Sequence, residues 1–387
     1  MNLQSNSWKR VSVGEVVNEL RVTTDSPLEN GIEYYIGFEH IESENLQVKQ
    51  FGNIGDGINF NKTFRKGDVL FGKIRAYLKK VVVAPFDGLC SGDILVLRTK
   101  DENILSQKLL PYAITTDGFY KLAIDSSIGT TMPRTKWQYI SKHVFPLPPL
   151  DDQERLVGLF QNIEQSIIYA DGQEKNLRKL CKSLIDGLIS DKPSIGNLLK
   201  GKKLKRVHYC DVAQKLTRRI DPVDYGIKRI VAGENLEAED FKIRTWGIVG
   251  KDFLGPAFHV LFQAGDILYG SRRTYLKKVA LADFEGVCAN TTYVIRANEE
   301  VLLQDLLKHI MLSEKFTQYS ISVSKGSTNP YINWKDLDNF TFEIPDLETQ
   351  RVIADLLDEI LANAEKIREQ KETLKKLKQK LLNQTLG

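Results

Sequence analysis

The sequence predicts an α+β protein in which two similar mixed α/β domains are separated by two long antiparallel coiled-coil helices, giving the chain a pseudo-twofold character. Three observations predict this. The stretch 67–98 returns at an offset of 198 residues with about half of its positions identical, so Gly67-Asp68-Val69-Leu70 comes back as Gly265-Asp266-Ile267-Leu268. A period that long matches a whole domain rather than a solenoid unit. Each copy mixes short β-rich runs with a helical stretch, and each is followed by a long segment whose apolar residues alternate in steps of four and three.

The first domain spans 1–150. Its β-rich runs at 68–71, 78–83 and 94–98 sit between glycine turns, and a helical stretch covers 107–122. A helix over 151–192 follows, with Leu156, Phe160, Ile163, Ile167, Ala170, Glu174, Leu177, Cys181, Leu184 and Leu188 along its seam. Only Glu174 departs from the apolar pattern, and Gly172 marks a point where this helix can kink.

The second domain spans 193–347. Gly226-Ile227 repeats Gly31-Ile32, Gly326-Ser327-Thr328-Asn329-Pro330 repeats Gly129-Thr130-Thr131-Met132-Pro133, and Trp334 repeats Trp137. Its helical stretch covers 301–319. The last helix, 348–387, carries a weaker seam through Ile353, Leu357, Ile360, Ala364, Ile367, Lys371, Leu374, Lys378 and Leu381, needing Leu377 near its end. A helix leading out of one domain and another beginning at the end of the second pair antiparallel. About 37 helical residues then make a spacer of roughly 55 Å. The alternative is that each helix packs on its own domain.

Composition bounds the function. A hydrophobic content of 42% and a charged content of 27% describe an ordinary soluble chain, with no apolar run of the ~18 residues that a membrane span needs. The start lacks a signal-peptide core, so a cytoplasmic location is expected. Four scattered cysteines, with Cys90 and Cys288 at equivalent positions, read as buried thiols in a reducing compartment. The net charge is only +4, but 62–80 sets seven bases against Asp68 alone and 200–219 sets eight against Asp211. Local basic patches suit a bound polyanion; solvated faces are the plainer explanation.

No catalytic constellation emerges. Gly67–Lys73 fits the opening of a P-loop, but Ile74 stands where a Ser or Thr should hold Mg²⁺, and Ser271 replaces the lysine in the repeat. Asn329-Pro330-Tyr331 lacks the second proline of the amino-methyltransferase signature. The five histidines have no metal-ligand spacing, and neither a Gly-x-Ser-x-Gly elbow nor a nuclease carboxylate–lysine cluster is present.

Binding chemistry remains. On an extended strand Arg75, Tyr77 and Lys79 share one face, and Arg273, Tyr275 and Lys277 reproduce it. Such a face pairs phosphates through its cations while the tyrosine meets sugar and base edges; a half-buried tyrosine with lysines snorkelling around it is the structural alternative. The loops 129–136 and 326–335 add Thr130, Thr131, Arg134, Lys136, Ser327, Thr328, Asn329, Asn333 and Lys335 as hydrogen-bond donors. Trp137 and Trp334 read as core anchors.

These phrases, in this order twice over, resemble the specificity subunit of type I restriction–modification systems. The resemblance rests on Gly67-Asp68-Val69-Leu70, on the Gly-Thr-Thr and Gly-Ser-Thr loops, and on the Pro-Leu-Pro-Pro-Leu-x-x-Gln run at 146–153. It covers essentially the whole chain. It implies two target-recognition domains, each reading half of a bipartite site in double-stranded DNA, with the helices setting the unread spacer and docking modification (methyltransferase) subunits. An ATP-driven restriction subunit joins the larger assembly. S-adenosylmethionine and ATP with Mg²⁺ belong to those partners; no cofactor, metal or catalysis is expected in this chain.

Positions shared by the copies are then expected to hold scaffold or phosphate, and positions that differ to read sequence. The candidate readers are Lys73 against Ser271, Ile74 against Arg272, Met132 against Asn329 and Arg134 against Tyr331, together with the poorly alignable stretches 42–64 and 237–262. A specificity subunit of a fused restriction–methylation system, or a duplicated scaffold that binds only proteins, are the alternatives.

Overall fold

The computed structural model describes residues 8–252 and 255–387, apart from the side chain of Asp56. Met1–Ser7, the segment read for a leader, lies outside the described residues, as do Phe253 and Leu254 within the 237–262 stretch. The chain divides into two compact units, Met1–Asp171 with Glu369–Gly387, and Gly172–Arg368. Each unit therefore holds one globular domain and one half of each long helix.

In the first unit a four-stranded antiparallel sheet runs in the order Val17–Leu20, Ile94–Thr99, Val69–Gly72, Val81–Val83. A second sheet runs Gly52–Asn53, Tyr34–Ile36, Gly88–Cys90, Lys62–Phe64, with one parallel pair between Tyr34–Ile36 and Gly88–Cys90. Lys9–Ser12 pairs with Val144–Leu147, tying the start of the domain to its end. The second unit repeats all three arrangements with Ala213–Leu216, Thr292–Ala297, Ile267–Gly270 and Val279–Leu281 in the equivalent large sheet.

The repeated Gly-Asp phrase is structural. Gly67 and Gly265 adopt φ of 89° and 92°, the left-handed turn that glycine takes without steric cost. The aspartate that follows is buried and accepts a pair of hydrogen bonds from an arginine on the neighbouring strand. Asp68 takes Nε and Nη2 of Arg98 at 2.6 and 2.8 Å, and Asp266 takes the same atoms of Arg296 at 2.9 and 2.6 Å. Charge-assisted forks of this kind fix sheet geometry. The resemblance to a P-loop ends here, because Val69–Gly72 is a strand and Lys73 Nζ donates to the Gly92 carbonyl.

The helical stretches break where the sequence supplies a cap. The first becomes Leu110–Ala113 and Asp117–Asp125, with the Thr116 side chain accepting from Phe119 N; the second becomes Gln304–Ile310 and Glu314–Ser322, with Ser313 accepting from Phe316 N. The 78–83 run shortens to Val81–Val83 because residues 76–78 form a 3₁₀ turn.

Both long helices are continuous, Leu150–Leu188 and Leu347–Leu386, and the first passes through Gly172 without a break. A buried glutamine anchors the start of each to its own domain. Gln153 accepts from Ser106 N and donates to the carbonyls of Ile104 and Pro148, and Gln350 repeats this with Leu303, Val301 and Pro345.

Within the first unit, Leu156, Val157 and Phe160 share a core with Leu382 and Leu386, Glu164 pairs with Lys378 at 2.6 Å, and Asp171 pairs with Lys371 at 3.0 Å. Within the second, Cys181, Ile185 and Leu188 share a core with Ile353, Leu357 and Ile360, and Arg178 bridges Glu174 at 3.1 Å and Glu365 at 3.9 Å. Numbers rise along one segment as they fall along the other, so each unit contains an antiparallel helix pair. All ten seam positions of the first helix, from Leu156 to Leu188, are buried or half-buried. The charged exceptions, Glu174, Lys371 and Lys378, hold ion-pair partners instead of apolar ones. Leu377, expected to rescue the weak end, is 44% exposed; Lys378 and Leu381 carry the seam there.

Three cysteines are buried and free, and burial pushes the Cys90 and Cys288 thiols up to about 12. Cys210 is the correction, being exposed.

One cluster should make the second unit acid-sensitive. Asp358 on the C-terminal helix takes His309 Nε2 at 2.8 Å and Lys308 Nζ at 2.7 Å, with His309 itself buried. Burial drives the His309 pKa below its ordinary 6.5 even though Asp358 pulls the other way. Burial also opposes ionisation of Asp358, but the bonds from His309 and Lys308 hold its carboxyl below the usual range. Both folded values lie below the unfolded ones, so the unfolded chain binds more protons and stability falls with acidification. We expect the melting temperature to drop as pH falls below about 6.5, and His309→Gln to flatten that slope; an unchanged slope in the variant assigns the effect elsewhere.

Candidate nucleic-acid interface

Two phrases far apart in sequence come together at one corner of each domain. In the first unit Ile74 bridges Arg134, Arg75 N donates to the Pro133 carbonyl at 2.7 Å, and Thr135 N donates to the Lys73 carbonyl at 3.0 Å. In the second, Arg272 bridges Tyr331, Arg273 N donates to the Pro330 carbonyl at 2.7 Å, and Ile332 N donates to the Ser271 carbonyl at 2.9 Å. The Gly-Thr-Thr and Gly-Ser-Thr loops thus border the basic–aromatic–basic segment in both copies. The two tryptophans sit behind them, Trp137 against the first core and Trp334 against Tyr209 and Tyr293.

The basic–aromatic–basic segment is not a strand, which corrects the expected shared face. Ala76–Leu78 and Thr274–Leu276 are single 3₁₀ turns, each flanked by residues held at positive φ: Arg75 at 47° and Lys79 at 48°, Arg273 at 50° and Lys277 at 49°. A left-handed non-glycine residue costs roughly 1–2 kcal/mol, and both copies bear that cost at the same two positions. The turn lifts Tyr77 and Tyr275 to the surface, 53% and 51% exposed. Lys79 folds back instead onto Glu44 at 3.1 Å, and Lys277 is buried against Glu314 at 2.8 Å. Hydrogen bonds from Gln318 and Lys277 hold the Glu314 carboxyl down at about 2.

The candidate readers separate by exposure. Thr130, Thr131, Met132, Arg134 and Lys136 are exposed in the first unit, as are Arg272, Arg273, Ser327, Thr328, Asn329, Tyr331, Asn333 and Lys335 in the second. Ile74 is buried, and Ser271 is 4% exposed with its Oγ donating to the Thr291 carbonyl at 2.6 Å, so neither presents a side chain outward. Lys73 is occupied by the Gly92 carbonyl, Arg75 Nη2 by the Thr131 carbonyl at 3.2 Å, and the Asn333 amide by Asp336 at 3.0 Å.

Counting charges overstated the first basic patch. Lys62, Lys73, Arg75 and Lys80 each direct a donor to a backbone carbonyl and Lys79 pairs with Glu44, leaving Arg65 and Lys66 exposed with no side-chain partner among the described residues. In the second patch Lys202 pairs with Asp346, while Lys215 and Arg218 lie over the rings of Tyr293 and Tyr225. Lys200, Lys203, Lys205, Arg206 and Arg219 remain exposed.

The early parts of the two variable stretches turn toward the helices. Residues 42–47 line a cavity of ≈ 500 Å³ beside the helix pair of the first unit. In the second unit Asp240 and Arg244 bond directly to Arg368 and Glu365 of the C-terminal helix. Those portions face the long helices of their own units.

Sequence reasoning missed Asp93. Its Oδ1 accepts from Arg134 Nε at 3.1 Å, yet its twin in the repeat is Thr291, so the duplication supplied no signal for it. Among the described residues no group of three or more His, Cys, Asp or Glu is placed to hold a metal, and no helix is long and apolar enough to cross a membrane.

The left-handed arginine separates fold from function experimentally. Arg273→Gly suits φ of 50° without a Cβ penalty, so stability should stay within about 1 kcal/mol. Loss of that cation should weaken duplex binding and shallow its salt dependence by about one counterion. A Gly variant with wild-type salt slope would remove Arg273 from the interface.

Comparison with known proteins bears on this geometry. The family model described as type I restriction modification DNA specificity domain matches residues 6–177 and 222–376. The specificity subunit of the type I restriction enzyme EcoDI from Escherichia coli is 31% identical over 175 residues, 44% of this chain and 37% of that protein. The match thus spans well under half of that relative's length. The specificity subunit of the enzyme MjaVIII from Methanocaldococcus jannaschii is 22% identical over 303 residues, 68% of each chain. Among solved structures, a chain from a study of complex assembly and conformational transition of the type I R-M system superposes with a TM-score of 0.59 at 21% identity, covering 98% of this chain and 97% of the other. The S subunit of a type I restriction–modification system from M. genitalium gives 0.57 at 13% identity, covering 100% and 98%. At these identities the two structures speak to the fold.

Proposed function

Since this chain belongs to the type I restriction modification DNA specificity family, its two domains each matching that family's model, we propose that it is the non-catalytic sequence-reading subunit of such a complex. Each recognition domain, taken as 1–150 and 193–347, reads one half of a bipartite site in duplex DNA. The helical segments, 151–192 and 348–387, set the unread spacer and dock the modification subunits. S-adenosylmethionine and ATP chemistry reside in the methyltransferase and restriction partners, and the assembly works in the cytoplasm.

One observation carries the reading. Both units build the same corner from the same backbone bonds, yet furnish its exposed positions differently: Arg134 against Tyr331, Met132 against Asn329. A common frame with variable tips is what two unlike half-sites on one uniform phosphate backbone require. Backbone donors and cations position the protein, while the tips meet base edges.

The test is a reconstituted methylation complex on bipartite duplexes. Exchanging residues 1–150 for another family member's first domain should change one half-site and leave the other intact. Binding indifferent to duplex sequence would end the proposal, and so would a change in both halves.

A further inference from the structure

The two corners hold their guanidinium on opposite sides of the same bridge. In the first unit the bridge joins Ile74 to Arg134, and in the second Arg272 to Tyr331. Because Ile74 is buried, Arg134 is the side chain that the first bridge turns outward.

Arg134 is also held. Its Nε donates to Asp93 Oδ1 at 3.1 Å, and Lys73 Nζ stands 3.9 Å from the same oxygen. The Asp93 backbone is itself fixed, its carbonyl accepting from Lys73 N at 3.0 Å and its N–H donating to Ser91 Oγ at 3.2 Å. With Nε engaged, both Nη groups of Arg134 carry no partner among the described residues, and the side chain is 44% exposed. A guanidinium is planar and rigid, so fixing one nitrogen constrains the direction of the other two. Two parallel, outward donors match the O6 and N7 acceptors on the major-groove edge of guanine.

The second unit lacks this device. Thr291 stands at the position of Asp93, with its carbonyl taken by Ser271 N and Oγ. Arg272 is exposed and has no ion-pair partner among the described residues. An unheld arginine must lose rotamer freedom to bind, which favours a loose contact over strict discrimination.

We infer that Asp93 is a positioning residue that aims Arg134 at a guanine in the half-site read by the first domain, whereas Arg272 contributes contact without strict base choice. This rests on the reading of the chain as a DNA specificity subunit, and it adds a base identity and an asymmetry between the half-sites that the reading alone does not contain.

The experiment is methylome sequencing with the complex reconstituted from its modification subunits, using wild type, Asp93→Ala, Asp93→Asn and Arg134→Lys. Wild type should require guanine at one position of the half-site that domain exchange assigns to residues 1–150. Asp93→Ala and Arg134→Lys should relax that position by about tenfold or more while the spacer and the other half-site stay fixed. Asp93→Asn, which keeps an acceptor, should relax it less. Absence of guanine from that half-site overturns the inference while leaving DNA reading intact. Equal weakening at every position in all three variants also overturns it, because a purely structural Asp93 behaves that way. A wild-type complex without sequence preference removes the underlying function itself.

Discussion

Four residues inserted after Ala170, with four more placed opposite in the C-terminal helix near Lys371, should lengthen the preferred spacer by about two base pairs and leave both half-site sequences unchanged. Four helical residues add about 6 Å, against ~3.4 Å per base-pair step. The insertion point lies beside the Asp171–Lys371 pair, with Glu174–Arg178 following on the second unit's side. Matching insertions lengthen both strands of the seam together, so neither ion pair must find a new partner. Sequencing methylated positions in DNA modified by the assembled complex gives the answer directly. Altered half-sites with an unaltered spacer would show that the helices do not set distance.

The largest loss of stability is expected from Phe160→Ala. Phe160 is fully buried, its ring lies 4.9 Å from that of Tyr112, and it belongs to the core that joins Leu156 to Leu382 and Leu386. Truncating a buried phenylalanine costs about 3–5 kcal/mol, which for a unit of this size lowers the melting temperature by roughly 10 °C. The same residue holds the far end of the C-terminal helix to the first domain, so limited proteolysis should begin to cut within 369–387. A shift of under 2 °C with an uncut C-terminus would mean that this core does not secure the helix.

Much of this architecture was legible in the residues. The duplicated Gly-Asp phrase marked equivalent strands because a left-handed glycine and a buried aspartate are needed in both copies. The heptad seam was legible because helical periodicity is local. Its charged positions were not explained by sequence, since Lys371 and Lys378 find their acids some two hundred residues away in the chain. The Arg75–Lys79 segment misled because alternation suggests a strand, whereas the hydrogen bond from Arg75 N to Pro133 O holds a left-handed turn that no local preference favours.

The sequence by itself determined the two-domain plan and the antiparallel helices and marked the basic–aromatic runs, because repeats, heptads and such runs are patterns in the order of residues. Tertiary structure alone decided which of those side chains are available. Lys73, Lys79, Ser271 and Lys277 are consumed by partners brought in from elsewhere in the fold, while Arg134 is kept outward by Asp93. Availability depends on burial and on long-range pairing, and both arise only once distant segments share one corner of space.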